Sequence, residues 1–243
     1  MAEKGYLNLP LRKRLMQANP KKLKAKALLI DLDGTLVDSA EAYKEAGSAG
    51  FAALGLKVND EQIAFEVARR LEQNLPIDDL FTRFHVDLGV EEQFLPAYLE
   101  AYYSVVHVKS KLIPKAKETL QALSQDFQLA VVTLRYVSRE QVIEELRRLR
   151  LMKYFRAVVT ALDVKKPKPF PDAFLTAAER LEVKIQHCAI VGDSIVDIQA
   201  GKSAGAKTIA VLSGLFNREE LEKQNPDLII KDINSLPDWL RGD

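Results

Sequence analysis

Nine consecutive residues, Asp31-Leu32-Asp33-Gly34-Thr35-Leu36-Val37-Asp38-Ser39, crowd carboxylates, hydroxyls and a glycine directly behind an apolar run, Ala27-Leu28-Leu29-Ile30. The run reads as a buried strand. Strand side chains repeat every two residues, so Asp31 and Asp33 can project to one side at its carboxyl end. Gly34 allows the chain to turn sharply away there. Two carboxylates at the mouth of a parallel sheet repel each other unless a cation sits between them. Hard oxygen ligands of this kind suit Mg²⁺.

Three later segments carry matching chemistry. Leu129-Ala130-Val131-Val132-Thr133 is a second apolar run, and it ends in a hydroxyl. Lys165-Lys166-Pro167-Lys168-Pro169-Phe170-Pro171-Asp172-Ala173-Phe174 is a proline-stiffened loop with lysines that leads into a helical pattern. Ala189-Ile190-Val191-Gly192-Asp193-Ser194-Ile195-Val196-Asp197 is a third apolar run ending in acid. At helical spacing its second acid, Asp197, lies one turn past Asp193, near the positive end of a helix. Each piece alone is ordinary: a strand end, a solvated loop, a turn. The four in this order are strong evidence for a single site.

In these motifs, and from about Lys26 to about Ile233, the chain resembles the haloacid dehalogenase superfamily. Within it the resemblance is to the capped, phosphoglycolate-phosphatase-like branch. It implies a nucleophile at Asp31 and a general acid and base at Asp33. It implies that Thr133 and Lys168 hold the transferring phosphoryl group, with Gly34 and Leu134 binding phosphate beside them. Lys166 also precedes a Pro-x-Pro unit and is the alternative lysine. Asp31, Asp33 and Asp193 would hold Mg²⁺, and Asp197 and Ser194 would support them. The chemistry is consistent: a carboxylate and a phosphate dianion repel, and a bound cation offsets that repulsion. An aspartyl-phosphate would divide hydrolysis into two easier steps.

The elements around these residues fit. Strands are expected at Ala27–Leu32, Leu129–Thr133, Ala157–Thr160, Cys188–Gly192, Thr208–Leu212 and Leu228–Lys231, with helices such as Arg139–Arg150 and Ala173–Leu181 between them. Alternation of this kind argues an α/β fold, a doubly wound parallel sheet with a Rossmann-like core. Every candidate catalytic residue falls at or just after a strand's carboxyl end, where such sheets bind ligands. Between about Ala40 and Lys111 there is no convincing strand. Ala40–Leu54 is helical in composition despite Gly47 and Gly50, Asn59 with Gln62 signals a helix start, Pro76 opens Ile77–Leu88, and Glu91–Val106 continues. The expected partition is a basic extension over 1–25, a core over 26–39 and 112–243, and a helical cap over 40–111 inserted after the first strand. The resemblance implies that the cap lies over the site, where it would exclude water and select substrate. Arg69, Arg83 and Arg135 are candidate substrate contacts.

Composition narrows the partners. The chain has 243 residues, 47% of them apolar and 28% charged, with a formal net charge of +1. No overall field singles out nucleic acid or membrane. The first thirty residues carry six Lys and two Arg against Glu3, which leaves the remainder at −6. That stretch has no aromatic interleaving for base stacking, so a solvated extension is expected. Cys188 is the sole cysteine, so no internal disulfide framework exists. His85, His107 and His187 show no metal-ligand spacing. No run approaches a membrane span, and no apolar signal core opens the chain. The expectation is a cytoplasmic monomer or weak dimer acting on a small phosphorylated metabolite. Asp33 and Asp193 argue against a hydrolytic dehalogenase. Tyr43 stands where a capped sugar phosphomutase typically carries histidine. A phosphomutase and a non-catalytic binding protein on the same scaffold are the alternatives.

Overall fold

The computed structural model describes residues 22–85 and 89–242. The expected basic extension lies outside it up to residue 21. Strands are β1 (Leu23–Ala25), β2 (Ala27–Ile30), β3 (Val37–Asp38), β4 (Lys111–Leu112), β5 (Gln128–Val132), β6 (Ala157–Val159), β7 (Cys188–Gly192), β8 (Lys207–Val211), β9 (Leu228–Ile230) and β10 (Leu240–Gly242). Helices are α1 (Ala40–Ala53), α2 (Glu61–Glu72), α3 (Asp78–Thr82), α4 (Glu91–Lys109), α5 (Ala116–Asp126), α6 (Arg139–Arg148), α7 (Asp172–Arg180), α8 (Ile195–Ala204), α9 (Arg218–Glu222) and α10 (Leu236–Trp239).

All six expected strands join one parallel sheet in the order β6-β5-β2-β7-β8-β9. Strand β2 is buried at every position because both its faces are covered. Leu28 and Ile30 pack on one side with Leu120 and Leu123 of α5 and Val142 and Leu146 of α6. Ala27 and Leu29 pack on the other with Phe174, Ala177 and Ala178 of α7. The strict alternation follows from the two-residue period of a strand, and burial on both faces is why the run is continuously apolar. The chain leaves β2 for β5 and β6 on one side, then crosses back to place β7 on the other. The switch opens a crevice at the carboxyl ends of β2, β5 and β7.

The helical stretch between β3 and β4 packs around its own core of Phe51, Val67, Ile77, Leu80, Phe81 and Phe94. Phe94 meets the rings of Phe51 and Phe81 at 5.1 and 5.2 Å between centroids. The glycines inside α1 have a packing reason. A Cβ on Gly50 would lie 2.5 Å from the Phe94 ring, and one on Gly47 would lie 2.9 Å from Ala64 Cβ. Close helix approach offsets the entropy that glycine costs in a helix.

Several local details differ from the sequence expectation. The cap of α2 is Asp60, not Asn59; its carboxylate accepts from the backbone N–H of Gln62 and Ile63. The expected helix Ile77–Leu88 is only the short α3, and the chain turns at His85, whose φ is 56°. Residues 86–88 of that expected helix lie outside the described residues. Two small pairings were not expected. β3 and β4 form an antiparallel ribbon, Val37↔Leu112 and Asp38↔Lys111, that ties entry to exit of the helical stretch. β1 pairs in parallel with β10. Strands of two or three residues are too short for periodicity to show.

Candidate active site

Three strand ends build the floor. Asp31 follows β2, and its N–H donates to Val191 O at 2.8 Å. Thr133 follows β5, and its N–H donates to Val159 O at 2.9 Å. Asp193 follows β7. These bonds continue the ladder one residue beyond the strands, so the side chains emerge side by side. Ser194 then caps α8: it accepts from the Asp197 N–H, and its hydroxyl donates to Asp197 Oδ2 at 2.8 Å. The reciprocal contact makes a capping box and holds Asp197 beneath the floor, 1% exposed.

Asp31, Asp193 and Asp197 offer carboxylate oxygens that all lie within 4.8 Å of one another. Burial pushes Asp31 well above the usual carboxylate range; Lys168 opposes this, and Asp197, Asp193 and Asp33 add to it. Asp193 is raised by burial and then by Glu72 and Asp197. Buried, mutually repelling oxygen donors of this kind suit a hard divalent cation. Thr35 steadies the cluster by donating from Oγ1 to Asp193 Oδ1 at 2.9 Å.

Lys168 is 5% exposed. Its Nζ donates to Asp31 Oδ1 at 2.7 Å and to Val132 O at 2.8 Å, and lies 2.6 Å from Asp197 Oδ1. Burial works against its charge, but Asp197 and Asp31 outweigh that and raise its pKa. Lys166, the alternative lysine, lies over the Phe170 ring at 5.2 Å instead.

Asp33 was expected among the metal ligands; its carboxylate is paired within the chain. Its two oxygens accept from Arg135 Nη2 and Nε, both at 2.7 Å, and Ser39 also donates to it. Burial pushes Asp33 up, yet the charge and hydrogen bonds of Arg135 together with Ser39 hold it below the ordinary range. Arg135 is itself buried and also bonds Glu145. Its guanidinium, a candidate substrate contact from the sequence, is thus paired with two carboxylates of the chain while it lines the crevice. Arg83 pairs with Glu66. Arg69 pairs with Glu220 and lies 5.0 Å over the Phe216 ring, joining α2 to the loop after β8.

Glycines leave the room these carboxylates need. Gly34 has a φ of 75°, and a Cβ there would lie 2.5 Å from Asp193 Oδ2. At Gly214 the same oxygen would be 1.7 Å away. Gly214 stands in the loop after β8, where Ser213 donates to Gly34 O at 2.7 Å. Nothing in the sequence motifs marked this loop. Gly214→Ala is expected to weaken divalent-cation binding at least roughly ten-fold, because a packed oxygen must move. Calorimetric titration of the purified variant would measure this, and unchanged affinity would show that the Asp193 carboxylate is not a ligand.

Two cavities open beside the floor. One of about 160 Å³ is lined by Asp31, Asp33, Thr133, Leu134, Arg135, Glu72 and several tyrosines. A larger one of about 730 Å³ runs past Gly34, Ser39, Arg69 and Gly214. Glu72, from the end of α2, was not anticipated. Burial, then Asp197 and Asp31, push its carboxyl up to about 8, with a hydrogen bond from Ser194 opposing them. No sequence spacing ties a residue in the middle of the helical stretch to a strand end over a hundred positions away.

The sequence model described as haloacid dehalogenase-like hydrolase matches residues 28–211. The chain is 33% identical over 237 residues to a phosphoglycolate phosphatase of Shigella boydii, covering 87% of this chain and 90% of that protein. It is 30% identical over 217 residues to a phosphoglycolate phosphatase of Nitrosospira multiformis, covering 87% and 93%. A haloacid dehalogenase-like hydrolase of Streptococcus pneumoniae superposes with a TM-score of 0.72 at 20% identity, covering 88% of this chain and 97% of that one. The chain belongs to the haloacid dehalogenase-like hydrolase family. Among the described residues, no helix is long and apolar enough to cross a membrane.

Proposed function

We propose that this chain is a phosphatase that hydrolyses a small phosphate monoester through an aspartyl-phosphate on Asp31, with Mg²⁺ as its cation. The observation that carries the reading is the clasp of Lys168 on Asp31 and Asp197, beside Asp193 and at the floor of a cavity. A nucleophile, a fixed positive charge and a cation-holding set of donors converge there. The names of the similar proteins support a phosphoric monoester as substrate.

Asp31, Asp193 and Asp197 are the carboxylates available to hold the cation. When bound, Mg²⁺ supplies Lewis-acid charge that offsets the repulsion between Asp31 and the phosphate dianion. Asp31 attacks phosphorus, and the bond to the leaving oxygen breaks. Lys168 and the Thr133 hydroxyl offset charge on the equatorial oxygens. Asp33 gives its proton to the leaving oxygen, then takes one from the water that attacks the aspartyl-phosphate. Arg135 and Ser39 favour the ionised form of Asp33 that the second step needs. A phosphate dianion beside it favours the protonated form that the first step needs. The helical stretch over residues 40–111 acts as the cap. Tyr43 stacks on Tyr102, and no histidine lines either cavity among the described residues. Both observations favour transfer to water over a phosphomutase.

An aryl phosphate assay tests the reading. Release of the phenol with Mg²⁺, its loss on exhaustive chelation and its return on adding Mg²⁺ are expected. Full activity after chelation would overturn the metal-assisted mechanism, and no release from any phosphate ester would overturn the phosphatase.

A further inference from the structure

The leaving oxygen must meet Asp33, which gives it a proton. Asp31, Asp33 and Thr133 line the cavity of about 160 Å³, and none of them lines the larger one. The leaving group of an ester attacked at Asp31 therefore extends into the smaller cavity. Its acidic members gather at the floor end, where Glu72 stands beside Asp31, Asp197 and Ser194.

Carbon lines the rest. Ala68 and Leu71 come from α2, Leu99 comes from α4, and Leu134 follows β5. Helical spacing of four sets Tyr98 with Tyr102, and Leu99 with Tyr103, along the side of α4 that faces the crevice. The rings are held in place. Tyr43 stacks on Tyr102 with centroids 5.5 Å apart, and the N–H of Tyr136 donates to the Tyr103 hydroxyl at 3.1 Å. Leu99 and Tyr136 are 42% and 56% exposed, so the wall runs from the cavity out to solvent. An apolar surface left open in this way marks a ligand groove.

Charge narrows what can sit there. Among the described residues, Arg135 is the only cation lining this cavity. Its guanidinium is paired with Asp33 and Glu145. A carboxylate or a second phosphate on the leaving group would enter with no free counter-ion, which is costly. A flat ring would instead lie against ring faces and aliphatic carbon and leave its water behind. A cavity of about 150 Å³ holds a benzene-sized ring, and this one is of that size.

We propose that this cavity is the leaving-group subsite, and that it selects the phosphate monoester of an alcohol bearing an aromatic ring, with Leu99 and Tyr136 as its specificity-determining residues. The inference rests on the phosphatase reading and names its substrate class.

The test compares kcat/KM of the wild-type enzyme, with Mg²⁺, on benzyl phosphate, ethyl phosphate, 2-phosphoglycolate and p-nitrophenyl phosphate. Benzyl alcohol and ethanol are similar in acidity, so their ratio reads the ring and not the ease of bond breaking. Benzyl phosphate is expected to exceed both ethyl phosphate and 2-phosphoglycolate by at least roughly ten-fold. Leu99→Lys places a cation at the mouth and is expected to cut the benzyl-to-glycolate ratio at least roughly ten-fold. Tyr136→Ser removes the outermost ring and is expected to lower the benzyl-to-ethyl ratio. Cleavage of p-nitrophenyl phosphate with a smaller benzyl preference in the wild type would overturn this inference and leave the phosphatase standing. No cleavage of any of the four would remove the phosphatase and the inference together. Unchanged ratios in both folded variants would show that the ring binds elsewhere and would also overturn the inference. Should neither variant fold, the wild-type ratio alone decides.

Discussion

Asp31→Asn is expected to lower kcat by about 10⁴ or more while the protein stays folded. The carboxamide matches the carboxylate in shape, so Lys168 and the sheet edge keep a partner of the same size. It cannot supply the electron pair that forms the acyl phosphate, so loss of the nucleophile removes the whole first step rather than a fraction of it. Stability should move the other way. Burial and the neighbouring acids hold the Asp31 carboxyl well above the usual range, which marks its ionised form as unfavourable in place. A neutral amide there relieves repulsion with Asp193 and Asp197. Thermal unfolding in the absence of divalent cation should therefore give a midpoint equal to or higher than wild type. Steady turnover by the pure variant at more than a per cent of wild type would remove Asp31 from the nucleophilic role.

Asp33→Asn is expected to separate the two half-reactions. A nitrophenolate leaves without needing a proton, so transfer to Asp31 can still proceed with an aryl phosphate. Water must then be deprotonated to clear the intermediate, and the carboxamide of the variant cannot accept that proton. Rapid quenching should show a burst of product equal to the enzyme, followed by a stall at a rate about 10²–10⁴ slower. The phosphoryl group should be recoverable on Asp31. The substitution also cuts the charge on one side of Arg135, but Glu145 still pairs with that guanidinium, so the buried cation is not stranded. Arg135→Lys makes a control, since a lysine cannot reproduce the two-pronged bond to Asp33. Its activity should fall less than that of Asp33→Asn, without a trapped intermediate. Steady turnover of Asp33→Asn with no burst would make Asp33 a structural residue and reopen direct hydrolysis.

Much of the site was legible because its parts sit at strand ends. A strand buried on both faces must be a continuous apolar run, so β2, β5 and β7 announce themselves. The first residues beyond them, Asp31, Thr133 and Asp193, are the ones the crevice receives. Asp197 was legible for a different reason, since it falls one helical turn past Asp193, and the structure seats it there through a capping box with Ser194. The preference for Lys168 over Lys166 rested on the resemblance alone, because both precede a Pro-x-Pro unit in the same loop. Only the fold shows that Lys168 runs under Asp31 while Lys166 lies over Phe170. The partner of the Asp33 carboxylate was not legible from the spacing of side chains along the strand. The chain leaves β2 after Ile30, so the alternation stops before Asp33, and Arg135 takes its carboxylate.

What the sequence determined by itself was therefore the sheet, the helical insertion and the floor of the site. Each of these follows from local rules: apolar runs, turn residues, and caps within a few positions of one another. What only the tertiary structure decided was everything that meets across the crevice. Glu145 from α6 completes the pairing of Arg135, Gly214 clears space for Asp193, and Glu72 with its tyrosines faces the floor from the opposite side. Those contacts join residues from ten to well over a hundred positions apart. No local pattern encodes them, because they exist only once separate elements have packed and excluded the water between them.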